Sequence, residues 1–181
     1  YSSRVRPIFA KNLLTRVVGR IGILRRLIHR AAGRKVYETF GGALHFFGIG
    51  GAPLSPEAER FLREAQFPYA IGYGLTETSP LVAGTDAEHS RYRSTGPPIS
   101  GVEVRLDPFA GDGQGEILVR GPNVMQGYYR DEEATREVLT EDGWFRTGDI
   151  GSRDEDGYLY IRGRLKNMIV GSGGENIYPG D

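Results

Sequence analysis

The chain contains no cysteine, which excludes disulfides and thiolate chemistry and fits a cytoplasmic protein. Histidine is scarce: His29, His45 and His89 stand far apart and suggest no metal cluster. No apolar run approaches the roughly 20 residues that span a bilayer. No secretory signal pattern opens the sequence, which starts at Tyr1. Three common signatures are missing as well. There is no G-x-x-x-x-G-K-[ST] phosphate loop, no G-x-G-x-x-G turn and no H-E-x-x-H helix. Acidic residues are absent from positions 1–37, which hold ten Lys/Arg.

What is present reads as a soluble globular protein. Formal net charge is zero, 39% of residues are hydrophobic, and 181 residues suffice for one sizeable core or two small ones. The zero charge hides an asymmetry, since residues after 37 hold 13 basic and 23 acidic side chains. A basic segment such as 4–35 can meet an anionic membrane surface, nucleic acid or phosphates. The plainer alternative is a solvated helical face that packs on another part of the protein. Within 13–32, Leu13, Val17, Ile21, Leu24, Leu27 and Ile28 recur at helical spacing, an amphipathic helix that Gly33 and Gly41-Gly42 punctuate.

Leu44 to Ile49 reads as a buried strand, followed by the loop Gly50-Gly51-Ala52-Pro53. Ser55-Pro56-Glu57 starts a helix: Ser caps, Pro suits the first turn and Glu complements the dipole. Tyr69-Ala70-Ile71 is another short strand running into Gly72-Tyr73-Gly74. After about residue 92 the pattern changes. Val102, Val104 and Leu106 alternate with charges and pair with Ile117–Val119 as a hairpin; Asp131 caps a short helix; 144–147 and 158–161 are further strands. The expected fold class is α/β plus β. Residues 1–92 form part of an α/β layer, 93–162 a small distorted antiparallel β-barrel, and 163–181 a hinge into a further domain.

Twenty-seven glycines cluster where backbone would approach a ligand. The most informative string is Gly72-Tyr73-Gly74-Leu75-Thr76-Glu77-Thr78-Ser79. It lies at a strand end, where open α/β sheets bind ligands. Tyr73 offers a flat ring, Thr76 a hydroxyl for a phosphate, and Glu77 a hard oxygen for Mg²⁺. A polar turn capped by Thr and Glu is the alternative. Trp144-Phe145-Arg146-Thr147-Gly148-Asp149 ends a strand in a carboxylate suited to a ribose diol. Gly163-Arg164-Leu165-Lys166-Asn167 and Gly171-Ser172-Gly173-Gly174-Glu175-Asn176-Ile177-Tyr178-Pro179 follow.

Together these strings resemble the adenylate-forming superfamily of acyl-CoA synthetases, nonribosomal adenylation domains and luciferases. The resemblance runs from about Phe46 to Asp181. The segment Gly41 to Phe47 and the string from Gly121 to Tyr129 resemble the long-chain fatty-acid branch. The resemblance implies an AMP-forming ligase with ATP, Mg²⁺ and the co-substrate CoA. A fatty acid would become an acyl-adenylate and then a thioester. It places Gly51, Ala52 and Pro53 along the adenine and Tyr73 on its other face, with Gly74 among the nucleotide-binding residues. Thr76 would contact the α-phosphate, Glu77 would hold Mg²⁺, and Asp149 with Arg164 would bind the ribose. Lys166 falls at the interdomain hinge, and Gly173, Gly174 and Glu175 in a loop that enters for the thioester step.

The implied partners are small molecules, not nucleic acid, with peripheral membrane contact through 4–35 and a cytoplasmic or membrane-peripheral location. Alternatives are activation of another carboxylic acid, loading of an acyl carrier protein, or a non-catalytic nucleotide-binding relative. The family's phosphate loop and the catalytic lysine of its small domain are expected upstream of Tyr1 and beyond Asp181. The 181-residue chain alone is therefore expected to form little acyl-adenylate. Asn167 departs from the acidic residue that often follows the hinge lysine, and Asp181 from a Glu. An exposed sheet edge is expected in the α/β half.

Overall fold

The computed structural model describes residues 22–108 and 113–167, with the backbone of 169–170 and 176–177. The chain divides into two units, Tyr1–Phe47 with Ala52–Tyr69, and Gly48–Gly51 with Ala70–Asp181.

In the first unit, helix α1 (Gly22–Thr39) packs on helix α2 (Pro56–Glu64). Gly33 does not end α1, contrary to the expectation from its glycine; positions 13–21 of the expected helix lie outside the described residues. The reason is close approach: a Cβ at Gly33 would overlap the Cβ of Ala65. Arg25 and His29 of α1 both reach Glu64, with Nε–Oε2 at 3.0 Å and Nδ1–Oε2 at 2.7 Å. The helix stops at Gly41, whose φ is +88°, where Gly42 N–H bonds Tyr37 C=O and Gly41 N–H bonds Glu38 C=O. That is the double closure of a Schellman end. Helix α2 begins as its sequence reads: Ser55 Oγ accepts the Ala58 N–H at 3.2 Å and Pro56 takes the first turn. Its most buried residue is a glutamate, Glu59, which accepts the Tyr69 hydroxyl at 3.0 Å.

Strands β1 (Phe47–Ile49) and β2 (Tyr69–Ile71) pair, and the division between the units runs through both. In the second unit, β3 (Tyr73–Gly74) and β4 (Leu81–Ala83) form an antiparallel pair. Strands β5 (Glu103–Pro108), β6 (Gly115–Arg120), β7 (Phe145–Arg153) and β8 (Leu159–Arg164) form one antiparallel sheet in chain order. Helix α3 (Glu132–Val138) sits between β6 and β7, N-capped by Asp131. The backbones of β9 (Ile169–Val170) and β10 (Asn176–Ile177) pair antiparallel.

The core of this unit gathers Tyr73, Val82, Ala83, Ile117, Val119 and Leu159. Strand β6 is buried residue by residue from Gly115 to Val119, because it is an inner strand with both faces covered. The expected distorted β-barrel does not close among the described residues. The four-stranded sheet stays open, and beyond β8 the chain makes single bridges, Gly96 with Leu159 and Pro98 with Ala83, in place of a further strand. Thr95 N–H donates to Leu159 C=O and Leu159 N–H to Gly96 C=O, which satisfies the β8 edge locally.

Candidate functional site

Asp149 does not end its strand, as its sequence position suggests; it lies inside β7, on a bulge. Leu118 pairs with Arg146 and Glu116 with Ile150, so Thr147, Gly148 and Asp149 face Ile117 alone. The excess residues are absorbed at Gly148, whose φ of +69° favours glycine. Side chains replace the lost ladder bonds. Thr147 Oγ1 donates to Ile117 C=O at 2.7 Å and accepts Asp149 N–H at 3.0 Å; Gly148 N–H donates to Glu116 Oε1 at 3.2 Å. Bulges of this kind re-aim one side chain out of the regular alternation. Here the side chain is a carboxylate in a residue only 5% exposed.

Both Asp149 oxygens are held. Tyr73, from β3, donates its hydroxyl to Oδ2 at 2.7 Å. Arg164, paired across the ladder on β8, places Nε 2.8 Å from Oδ1. Burial nevertheless pushes the Asp149 carboxyl above the usual range, more than Tyr73 and Arg164 pull it down, and the Glu77 charge adds to the upward push. Glu77 and Asp149 therefore lie within electrostatic reach. Burial and the Asp149 charge drive the Tyr73 phenol far above its ordinary value, so it stays a donor.

Glu77 stands in a 3₁₀ turn, Thr76–Thr78, between β3 and β4. The turn is fixed from inside by Thr78, fully buried, whose Oγ1 lies 2.7 Å from Pro80 C=O and accepts Leu75 N–H at 3.0 Å. A Cβ at Gly74 would collide with the Pro80 carbonyl oxygen, so the tight return of the loop needs glycine there. Thr76 is exposed and Glu77 half-buried. A second segment braces the loop. Asn123 Nδ2 donates to the carbonyls of Thr78 and Leu81, Met125 N–H donates to Glu77 C=O, and the Tyr128 hydroxyl lies 3.0 Å from Glu77 Oε1.

Tyr73, Gly74, Thr76, Glu77, Asp149, Arg164 and Lys166 thus all belong to the second unit, as does Gly51; Ala52 and Pro53 belong to the first. Gly50, next to Gly51, runs beside Gly72: a Cβ on it would stand 3.5 Å from the Gly72 carbonyl oxygen. Lys166 is exposed in a 3₁₀ turn, Leu165–Asn167, directly after β8. Gly173, Gly174 and Glu175 lie outside the described residues. Sequence reasoning missed Thr78, Asn123, Thr147 and Tyr128 as parts of the site. Their signal was Gly127-Tyr128 in a string already singled out and the hydroxyls flanking Glu77 and Gly148, but none reveals its partner without coordinates.

Among the described residues no cluster of three or more His, Asp or Glu could hold a metal by itself. A lone half-buried carboxylate, Glu77, suits Mg²⁺, which takes one or two carboxylates and fills its sphere with phosphate oxygens and water. Asp149 has capacity left as well, since a carboxylate offers about four lone-pair sites and two are used.

A strand-end tyrosine, a looped glutamate and a bulge-borne aspartate on one unit define a polar site suited to a nucleotide. Residues 14–129 match the family model of the AMP-binding enzymes, and the chain belongs to that family. It is 43% identical over 162 residues to a long-chain-fatty-acid–CoA ligase of Mycobacterium bovis, covering 87% of this chain and 26% of the relative. It is 45% identical over 140 residues to a feruloyl-CoA synthase of Amycolatopsis, covering 73% and 28%. O-succinylbenzoate coenzyme A synthetase of Bacillus subtilis, solved in complex with AMP, superposes with a TM-score of 0.69 at 32% identity, covering 83% of this chain and 33% of that one. The chain thus spans about a quarter of the length of these curated relatives.

Proposed function

We propose that the whole protein activates a fatty acid with ATP, forming an acyl-adenylate and pyrophosphate, and passes the acyl group to CoA. The observation that carries the proposal is the grouping of Tyr73, Asp149 and Arg164 in one hydrogen-bonded set, with the Glu77 charge in reach. The relatives' names support the CoA-ligase reading and leave the acid open, since they include fatty, aryl and succinyl-aryl acids. The long-chain relative favours the fatty acid.

In this reading Asp149 accepts from the ribose hydroxyls, and the exposed Arg164 arm supports them. Tyr73 lines one adenine face and Gly51, of the same unit, the other, Gly74 binds the nucleotide beside Tyr73, and Thr76 contacts the α-phosphate. Bound Mg²⁺, held by Glu77, would supply charge neutralisation at the phosphates. The nucleophile is the substrate carboxylate itself, so the protein supplies positioning and electrostatics and needs no general base. Lys166, after the last strand of the sheet, serves as hinge; Gly173, Gly174 and Glu175 belong to the thioester step.

Acid-dependent ATP–pyrophosphate exchange by the whole protein tests this, across fatty acids, ferulate and 2-succinylbenzoate, followed by CoA and carrier protein as acceptors. Exchange driven by fatty acids supports the reading, exchange with aryl acids alone moves the substrate to that branch, and no exchange with any acid refutes the activity.

Peripheral membrane contact through 4–35 is a second part of the proposal. Helix α1 leaves Leu24 and Leu27 exposed beside the exposed Arg26 and Arg30, an arrangement that suits an anionic interface. Among the described residues no helix is long and apolar enough to cross a membrane.

A further inference from the structure

The segment from Gly121 to Tyr129 contains no residue assigned above to the nucleotide, yet it touches the Glu77 loop at four points. Three are contacts to main chain: Asn123 to the Thr78 and Leu81 carbonyls, and Met125 N–H to the Glu77 carbonyl at 2.8 Å. These fix where the loop runs. The fourth is different in kind. The Tyr128 hydroxyl meets the Glu77 carboxylate itself, Oε1 at 3.0 Å, and so governs the side chain.

Tyr128 is in turn placed by its own surroundings. Gly127 has a φ of +145°, and a Cβ there would stand 2.8 Å from Thr135 Cγ2. The glycine lets Tyr128 N–H reach Thr135 Oγ1 at 2.9 Å, and Thr135 Oγ1 donates to Asp131 C=O at 2.6 Å. Asp131 caps α3, so the tyrosine is tied to the first turn of that helix. The chain of contacts runs from α3 through Thr135 and Tyr128 to one oxygen of Glu77.

We propose that Tyr128 is a positioning residue for the metal: its hydroxyl occupies Glu77 Oε1 and sets the carboxylate rotamer, so that Oε2 is the oxygen presented to the divalent cation of a bound nucleotide. This rests on the reading of Glu77 as the Mg²⁺ ligand given above. The physical ground is that a carboxylate on three rotatable bonds binds a metal well only when something else fixes its plane. Groups that orient metal ligands in this way typically change metal affinity by about 10–100-fold when removed.

The test compares the whole wild-type protein with its Tyr128→Phe variant, using Mn²⁺ as the probe metal. Mn²⁺ affinity in the presence of saturating ATP is read by electron paramagnetic resonance, and ATP affinity in excess EDTA by calorimetry. Expected is a fall in Mn²⁺ affinity of about tenfold for Tyr128→Phe. Metal-free ATP affinity and melting temperature should stay unchanged, because the ring remains. In turnover, the Mg²⁺ concentration for half-maximal exchange should rise by the same factor, with little change in the KM for the acid. Equal Mn²⁺ affinity in the two proteins overturns the role of Tyr128. So does a parallel loss of metal-free ATP binding and melting temperature, which would make the contact merely structural. If the wild type itself binds Mn²⁺ no better with ATP than the Glu77→Ala variant, the Glu77 reading fails, and that result is distinct from a failure at Tyr128.

Discussion

Replacing Asp149 by Asn should cost the protein its nucleotide without costing it stability, and the structure lets the balance be worked. Asn can keep the hydrogen bond from Tyr73, but as a neutral acceptor. Bonds to charged groups are worth about 1.5–3 kcal/mol and neutral ones about 1 kcal/mol, so the change forfeits about 0.5–2 kcal/mol. The Arg164 side chain is 58% exposed and can turn to water, so its loss amounts to well under ~1 kcal/mol. Opposing both is the penalty of burying an ion, effectively several kcal/mol.

The raised Asp149 carboxyl says which effect wins: burial outweighs the partners. The Asn variant should therefore be as stable as the wild type or up to about 2 kcal/mol more stable. Asp149→Ala should instead lose about 1–3 kcal/mol, because the buried Tyr73 hydroxyl is left without an acceptor. Urea unfolding followed by Trp144 fluorescence measures both, since Trp144 is the single tryptophan and lies buried just before β7. The pH dependence has a fixed sign. A carboxyl raised in the folded state binds more protons folded than unfolded, so its contribution to stability is full in acid. That contribution falls as pH climbs from the ordinary carboxylate value through the raised one. The Asn variant lacks that fall. A variant clearly less stable than wild type at pH 7, with the same pH profile, would refute the reasoning.

Other consequences concern the rest of the chain. Gly33→Ala should destabilise by about 1–3 kcal/mol through overpacking, despite a helix-propensity gain of up to about 1 kcal/mol; a raised melting temperature would mean α1 and α2 do not approach as described. Ile117→Ala, fully buried on β6, should cost about 2–5 kcal/mol, read by the same Trp144 signal. Amide exchange should be slower across 93–162 than across 40–80, because an inner strand with both neighbours in place opens less readily than the two short strands β1 and β2. Flotation with anionic vesicles should recover the protein at low salt and lose it at high salt; no recovery at low salt removes the membrane reading of 4–35.

Local signals were the legible part. Ser55-Pro56 capped α2 and Asp131 capped α3 because a side-chain oxygen and the next few amides suffice. The alternation at Val102, Val104 and Leu106 likewise became β5 and its lead-in. Gly33 was misread because its reason lies in Ala65, thirty-two residues away. Asp149 was placed at a strand end, whereas opposite Ile117 the Thr147 to Asp149 stretch is a bulge with the strand continuing to Arg153. Barrel closure depends on which edges pair, and alternation within a strand does not encode that. The candidate site divides the same way. Its charged members announced themselves in motifs, while Tyr128 and Asn123 act through partners that only folding brings near.

The direct test of the central claim is the structure of the whole protein with Mg²⁺ and ATP bound. The account predicts both ribose hydroxyls within hydrogen-bond distance of Asp149, the adenine against Tyr73 and the cation on Glu77. A nucleotide bound elsewhere, or with its ribose away from Asp149 and its metal on other residues, would contradict it.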